Sequence, residues 1–203
     1  TFNKYFKNYD FHNLYKELLN FCTVDLSAFY FDIRKDALYC DPKDSQRRKS
    51  ALILLNIILN SLMKWFAPIL TFTTEEIYQL VSKNNKSIHL EKFLIFPKKF
   101  ENLELNEKWT HLLKIRDVCN LSIEEKRSNK EIGSSLEAEL VLQLDKRNLE
   151  IVKGVDLAEL CITSAVEIKE NNSKEIIVNT KKAEGNKCPV CWKISKTPCK
   201  RHG

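Results

Sequence analysis

The chain has 203 residues, 43% of them apolar, with only four glycines and five prolines. That composition supplies cores for one large or two small domains and argues against both disorder and a turn-rich all-β fold. The net charge is +6, yet seven of the 33 Lys and Arg and one of the 27 Asp and Glu lie from residue 181 onward, which leaves 26 of each before it. A neutral body with a basic tail suggests a polyanionic partner, because phosphate contacts release counterions; a solvated tail is the plainer alternative.

Near the amino terminus, Phe11, Leu14, Leu18, Phe21, Cys22 and Leu26 recur at about 3.6 residues and predict a helix, with an aromatic cluster behind it. IRKDALYCDPKD then interrupts the pattern, and Pro42 with Asp41 and Asp44 marks a turn. Ser45 is placed to cap a second helix that runs through Arg47 and Arg48 to about Phe66, where Pro68 stops it. The apolar run over residues 51–70 is broken by Asn56, Asn60, Ser61 and Lys64, so it predicts a buried helix and not a bilayer span. No signal peptide opens the chain. A soluble, cytoplasmic protein without a membrane partner is expected. Thr73 and Glu76 have the spacing of a capping box at the next helix.

The helical pattern dissolves around SKNNKSIHLEKFLIFPKKF, a candidate boundary near residues 84–103. A further helix is predicted from about Asn106 to Ile132-Gly133, with Trp109, Leu112, Leu113, Ile115, Cys119 and Ile123 along one face. The period then changes to two. Leu136, Ala138, Leu140, Leu142 and Leu144 alternate with Glu137, Glu139, Val141 and Gln143, as in a strand with one buried face. Ile162, Ser164, Val166 and Ile168 alternate likewise, and EIIVN reads as a third, short strand.

The tail carries the most specific signal, Cys188-x2-Cys191-x7-Cys199-x2-His202. Each short pair can present two ligands from one tight turn, and the loop between them can fold one pair over the other, as tetrahedral zinc requires. Three thiolates and an imidazole would close the site and leave no position for a catalytic water. A redox Cys-x-x-Cys and a cluster without metal are the alternatives. Cys22, Cys40, Cys119 and Cys161 are widely spread and read as structural thiols.

DLSAFYFDIRKDALYCD over residues 25–41, SQRRKSAL, and FAPILTFTTEEIY over residues 66–78 resemble the anticodon-binding helical domain of bacterial isoleucyl-tRNA synthetases. IRDVCNLSIEEKRSNKEIGSSLEAEL over residues 115–140 is similar to the region that joins that bundle to a zinc-binding appendage, and KCPVCW looks like the start of the appendage. In the family the second metal pair is usually Cys-x2-Cys after a longer loop, so His202 and the seven-residue spacing are departures. No HIGH-type or KMSKS-type signature is present, and a catalytic domain plus an editing domain would not fit in 203 residues.

The resemblance implies a mainly α fold: a helical bundle, truncated at its amino end, over residues 1–100, an α+β junction over 101–183, and a zinc-binding tail over 184–203. Thr1 would fall just before the family's second or third helix. It also implies one structural Zn2+ held by Cys188, Cys191, Cys199 and His202, with an isoleucine-accepting tRNA as partner and no catalytic residue in this chain. The absent amino-terminal catalytic and editing domains of a monomeric enzyme would supply ATP-dependent attachment of isoleucine. For RNA contact, the basic side chains Lys187, Lys193, Lys200 and Arg201 surround Trp192, which could stack on a base or pack on the knuckle. In the bundle, Arg34, Lys35, Arg47 and Arg48, with Lys49, flank a helix start that suits a phosphate, or form a solvated face. Tyr30, Phe31 and Tyr39 read as bundle core more readily than as stacking platforms. Asp25, Asp32, Asp36 and Asp41 read as caps and ion pairs. The rival readings are the matching segment of a valyl- or leucyl-tRNA synthetase, and a freestanding RNA-binding or scaffold protein of the same ancestry.

Overall fold

A computed structural model describes residues 2–82 and 86–202. Thr1 and residues 83–85, the latter within the anticipated connection, lie outside it. The chain forms two compact units, Thr1–Lys98 and Lys99–Gly203.

The first unit is helical. A short α1 (Phe2–Lys7) precedes α2 (Phe11–Asn20), which starts where the Asp10 carboxylate accepts from the Asn13 amide at 3.2 Å. Leu14 and Leu18 are its buried positions. A π-helical segment, Phe21–Phe31, continues the same rod into α3 (Asp32–Cys40). The wider π turn changes which residues face inward, so Phe21 and Cys22 fall off the 3.6-residue stripe and only Leu26 is fully buried there. IRKDALYC is therefore not an interruption: it is helix, with Ile33 and Ala37 buried. Tyr39, read from sequence as core, is 81% exposed.

The Ser45 hydroxyl caps α4 (Gln46–Phe66) by accepting from the Arg48 amide at 3.5 Å. The buried helix expected here is only partly buried. Ala51, Ser61 and Met63 face inward, while Leu52, Ile53, Leu54, Ile57 and Leu59 are each between 39% and 63% exposed. Met63, Ala67, Tyr78 and Ile88 close a small core between α4, α5 (Thr71–Val81) and the 3-10 turn Ile88–Leu90. The capping box does not form, because α5 begins at Thr71, three residues earlier than Thr73 as a cap requires. Thr74 donates instead to the Leu70 carbonyl at 2.9 Å. Glu75 reaches forward, accepting from Gln79 Nε2 at 2.7 Å, Ser87 Oγ at 2.8 Å and the Ile88 amide at 2.9 Å. Those bonds staple α5 to the turn that follows.

The second unit is built on α6 (Leu103–Ser128), whose buried positions Leu112, Ile115, Cys119 and Ile123 follow the helical period. The helix ends at Ser128, four residues before the expected stop. Lys130 turns left-handed (φ 59°), and the Glu131 amide returns to the Lys126 carbonyl at 3.0 Å, a Schellman closure without glycine. A three-stranded sheet then forms in the order β2-β1-β3, from β1 (Ala138–Leu144), β2 (Ala165–Glu170) and β3 (Ile177–Lys182). β1 and β2 are parallel and joined through α7 (Lys146–Val152) and α8 (Leu157–Leu160); β3 is antiparallel on the other side of β1. As the central strand, β1 buries Val141 as well as the alternating Ala138, Leu140, Leu142 and Leu144. The sequence alternation runs past the real strand starts. Leu136 and Glu137 lie in a 3-10 turn, Ile162 is left-handed (φ 55°), and the third strand starts two residues after Glu175.

Candidate metal centre and nucleic-acid interface

The tail leaves β3 through Ala183, whose amide donates to the Glu137 carbonyl at 2.8 Å. Gly185 (φ 124°) then turns the chain into a hairpin, β4 (Asn186–Lys187) against β5 (Ile194–Ser195). A Cβ on Gly185 would stand 2.2 Å from the Ser195 carbonyl oxygen, so this crossing of two backbones requires glycine. Residues 188–193 form the hairpin tip. The Cys188 amide donates to the Lys193 carbonyl at 2.9 Å, and the Trp192 amide to the Cys188 carbonyl at 3.0 Å. One side chain outside the tail anchors the hairpin: Ser164 Oγ accepts from the Ile194 amide at 2.6 Å and donates to the Leu136 carbonyl. Sequence reading placed Ser164 only as a strand position; nothing in its local pattern reveals a partner 30 residues away.

The four expected ligand residues come together. The Sγ atoms of Cys188, Cys191 and Cys199 and one ring nitrogen of His202 all lie within 4.8 Å of one another. Cys191 Sγ is 3.9 Å from Cys199 Sγ, and His202 Nδ1 is 3.5 Å from Cys188 Sγ and 3.4 Å from Cys199 Sγ. A tetrahedron with Zn–S of about 2.3 Å and Zn–N of about 2.0 Å has S···S edges of roughly 3.8 Å and S···N edges of roughly 3.6 Å. Three of the six donor–donor edges have about these lengths, and all lie within 4.8 Å. The seven-residue loop is long enough because β5 reverses the chain within it.

The local backbone favours thiolates. The Cys188 thiol is pulled down to about 6, first by the Cys191 amide and then by that of Val190. Cys199 is lowered chiefly by the Arg201 amide, whereas burial raises Cys191. Bound metal would offset that burial.

Trp192 is left-handed (φ 63°) and 59% exposed, with Lys187 Nζ 5.5 Å from its ring centroid. Its indole is thus an accessible aromatic face beside a cation. Lys187, Lys200 and Arg201 of the tail are exposed and Lys193 is half-exposed, whereas Lys196 pairs with Glu184 at 2.6 Å.

Of the basic candidates in the first unit, Arg34, Lys35, Arg47 and Arg48 are engaged with their own chain. Arg47 holds Asp41 with Nε at 2.8 Å and Nη2 at 2.9 Å, and reaches Asp36 at 2.8 Å. Arg48 donates to the Asp41 carbonyl at 3.0 Å. Lys35 pairs with Asp32 at 2.8 Å, and the Arg34 guanidinium lies 5.9 Å from the centroid of Tyr30. Asp32, Asp36 and Asp41 are the ion-pair partners expected of them, and the Arg47 cluster ties the end of α3 to the start of α4.

A helical unit joined to an α+β unit, the latter bearing a Cys3His cluster under an exposed tryptophan and several cations, has the make-up of a polynucleotide-binding module. Residues 1–142 match the family described as the anticodon-binding domain of tRNA ligase, and the chain belongs to that family. It is similar to the isoleucine–tRNA ligase of Pelagibacter ubique (strain HTCC1062), 66% identical over 202 residues, covering 100% of this chain and 22% of the relative. The isoleucine–tRNA ligase of Agrobacterium fabrum (strain C58) is 38% identical over 198 residues, covering 92% of this chain and 20% of the relative. That of Methylacidiphilum infernorum (isolate V4) is 42% identical over 194 residues, covering 94% and 20%. The chain therefore spans about a fifth of the length of the curated relatives it matches.

Proposed function

We propose that this chain is the anticodon-recognising part of an isoleucine–tRNA ligase, a cytoplasmic and monomeric enzyme whose aminoacylation chemistry lies outside these 203 residues. The observation that carries the reading is the family match over residues 1–142 combined with named relatives that are isoleucine–tRNA ligases. Those names favour isoleucine over the valine and leucine alternatives, and an enzyme part over a freestanding RNA-binding protein.

In this reading Cys188, Cys191, Cys199 and His202 hold one zinc ion, which acts as a structural cross-link with every position filled by protein. Three thiolates, one neutral imidazole and Zn2+ sum to a charge of about −1, which the neighbouring lysines and Arg201 outweigh. The hairpin tip is then fixed while its outer surface stays positive. Lys187, Lys193, Lys200 and Arg201 take phosphates, and Trp192 offers a base-stacking face. Arg34, Lys35, Arg47 and Arg48 serve the RNA only indirectly, by keeping the bundle in shape.

The test uses the full polypeptide that contains this chain. Removing residues 184–202, or replacing Cys191 by Ser with loss of zinc, is expected to abolish charging of isoleucine-accepting tRNA. Isoleucine-dependent pyrophosphate exchange should persist, because the adenylate forms elsewhere. Charging at the wild-type rate without the tail or its zinc would refute the proposal.

A further inference from the structure

Ser164 stands where the sheet meets the hairpin, immediately before β2, and its place there is set by the backbone. Thr163, fully buried, donates its amide to the Ala158 carbonyl at 2.9 Å, and the Ser164 amide donates to the Ala138 carbonyl of β1 at 3.0 Å. The hydroxyl then serves two backbone groups at once, accepting from the Ile194 amide and donating to the Leu136 carbonyl. A hydroxyl can do both at a single atom. Alanine would leave both groups without this partner.

The bond reaches the hairpin tip by a short path. Ile194 follows Lys193, whose carbonyl accepts from the Cys188 amide at 2.9 Å; the Cys188 carbonyl accepts in turn from the Trp192 amide at 3.0 Å. The Ala183–Glu137 bond holds the chain before the Gly185 turn, and the Ser164 bond holds it after. None of the four cluster donors comes from Ser164: all lie at Cys188, Cys191, Cys199 and His202. The two tasks therefore separate. The cluster closes the tip on itself, and Ser164 fixes the tip to the sheet. A tip free to swing about Gly185 would carry the same indole and lysines, but it would lose that freedom on binding and so bind more weakly. We infer that Ser164 is a positioning residue for tRNA recognition: its hydroxyl locks the hairpin to the β-sheet, so that Trp192 and Lys193 meet the RNA in a fixed orientation. This rests on the RNA-reading role proposed for the tail.

Ser164→Ala in the full polypeptide tests this, with zinc content, hydrogen exchange over residues 193–195 and charging kinetics measured together. The variant should keep its zinc and exchange the Ile194 amide faster than wild type. Its KM for isoleucine-accepting tRNA should rise about 3- to 12-fold, the cost of ordering the tip on binding, with kcat unchanged. Ser164→Thr, which keeps the hydroxyl, should restore KM. In a Trp192→Ala background Ser164→Ala should raise KM by less, because the ring it positions is gone. Loss of zinc from Ser164→Ala would make the residue part of the knuckle's own fold and overturn the inference. A wild-type KM in Ser164→Ala, where Trp192→Ala does raise KM, would overturn it while sparing the RNA-reading role. Wild-type charging after removal of residues 184–202 would sink that role, and this inference with it.

Discussion

Arg47 illustrates how little a residue type says by itself. In the sequence it is one of several cations beside a helix start, a suitable neighbour for phosphate. In the fold its guanidinium grips Asp41, whose side chain is 5% exposed, and Asp36 as well. Arg47→Ala would leave the Asp41 carboxylate buried with its main donors removed, at a cost of about 1–3 kcal/mol for a pair partly open to water. We expect thermal unfolding of the first unit to shift down accordingly. The slope of RNA affinity against salt should not change, because no phosphate contact is lost. A slope reduced by about one unit would instead assign Arg47 to the RNA. The Cys3His cluster is the opposite case. Its spacing is local, so Cys188, Cys191, Cys199 and His202 were legible from sequence, whereas Ser164, which holds their hairpin through a contact 30 residues away, was not.

At the scale of elements, the departures from the sequence pattern have identifiable causes. The π segment Phe21–Phe31 hid the continuity of α2 and α3, since a wider turn spoils a 3.6-residue stripe. Alternation overshot the strand starts because turns with apolar residues flank them. The capping box failed because α5 already begins at Thr71, and Glu75 instead staples the helix to the turn that follows. That staple has a pH signature. The bonds from Gln79, Ser87 and the Ile88 amide hold the Glu75 carboxyl below its ordinary 4.5. A carboxylate whose folded pKa is depressed contributes stability that is fully present above the unfolded value and lost as pH falls through the folded one. Acid melting between neutral pH and pH values below about 4.5 should therefore be steeper in the wild type than in Glu75→Gln. The variant should be the less stable of the two at pH 7. Identical pH profiles would show that the staple contributes nothing.

For the whole molecule, the account joins two kinds of surface. The tail offers a positively charged hairpin tip with an exposed indole, and α4 carries exposed aliphatic side chains. Under the proposed function, the first would suit a nucleic acid. Trp192 is the side chain on which the first half of that account depends. Its left-handed backbone is a conformation that costs on the order of 1–3 kcal/mol for a bulky residue, and its ring is left in solvent, which is poor design for a purely structural tryptophan. The decisive measurement is the affinity of an isoleucine-accepting anticodon stem-loop for this chain over a range of salt, with zinc content verified, for wild type and Trp192→Ala. The stacking contribution predicts binding weakened about 5- to 150-fold with the salt slope and the metal both retained. Wild-type affinity in a variant that keeps its zinc, or failure of the wild type to bind the stem-loop at all, would contradict the account.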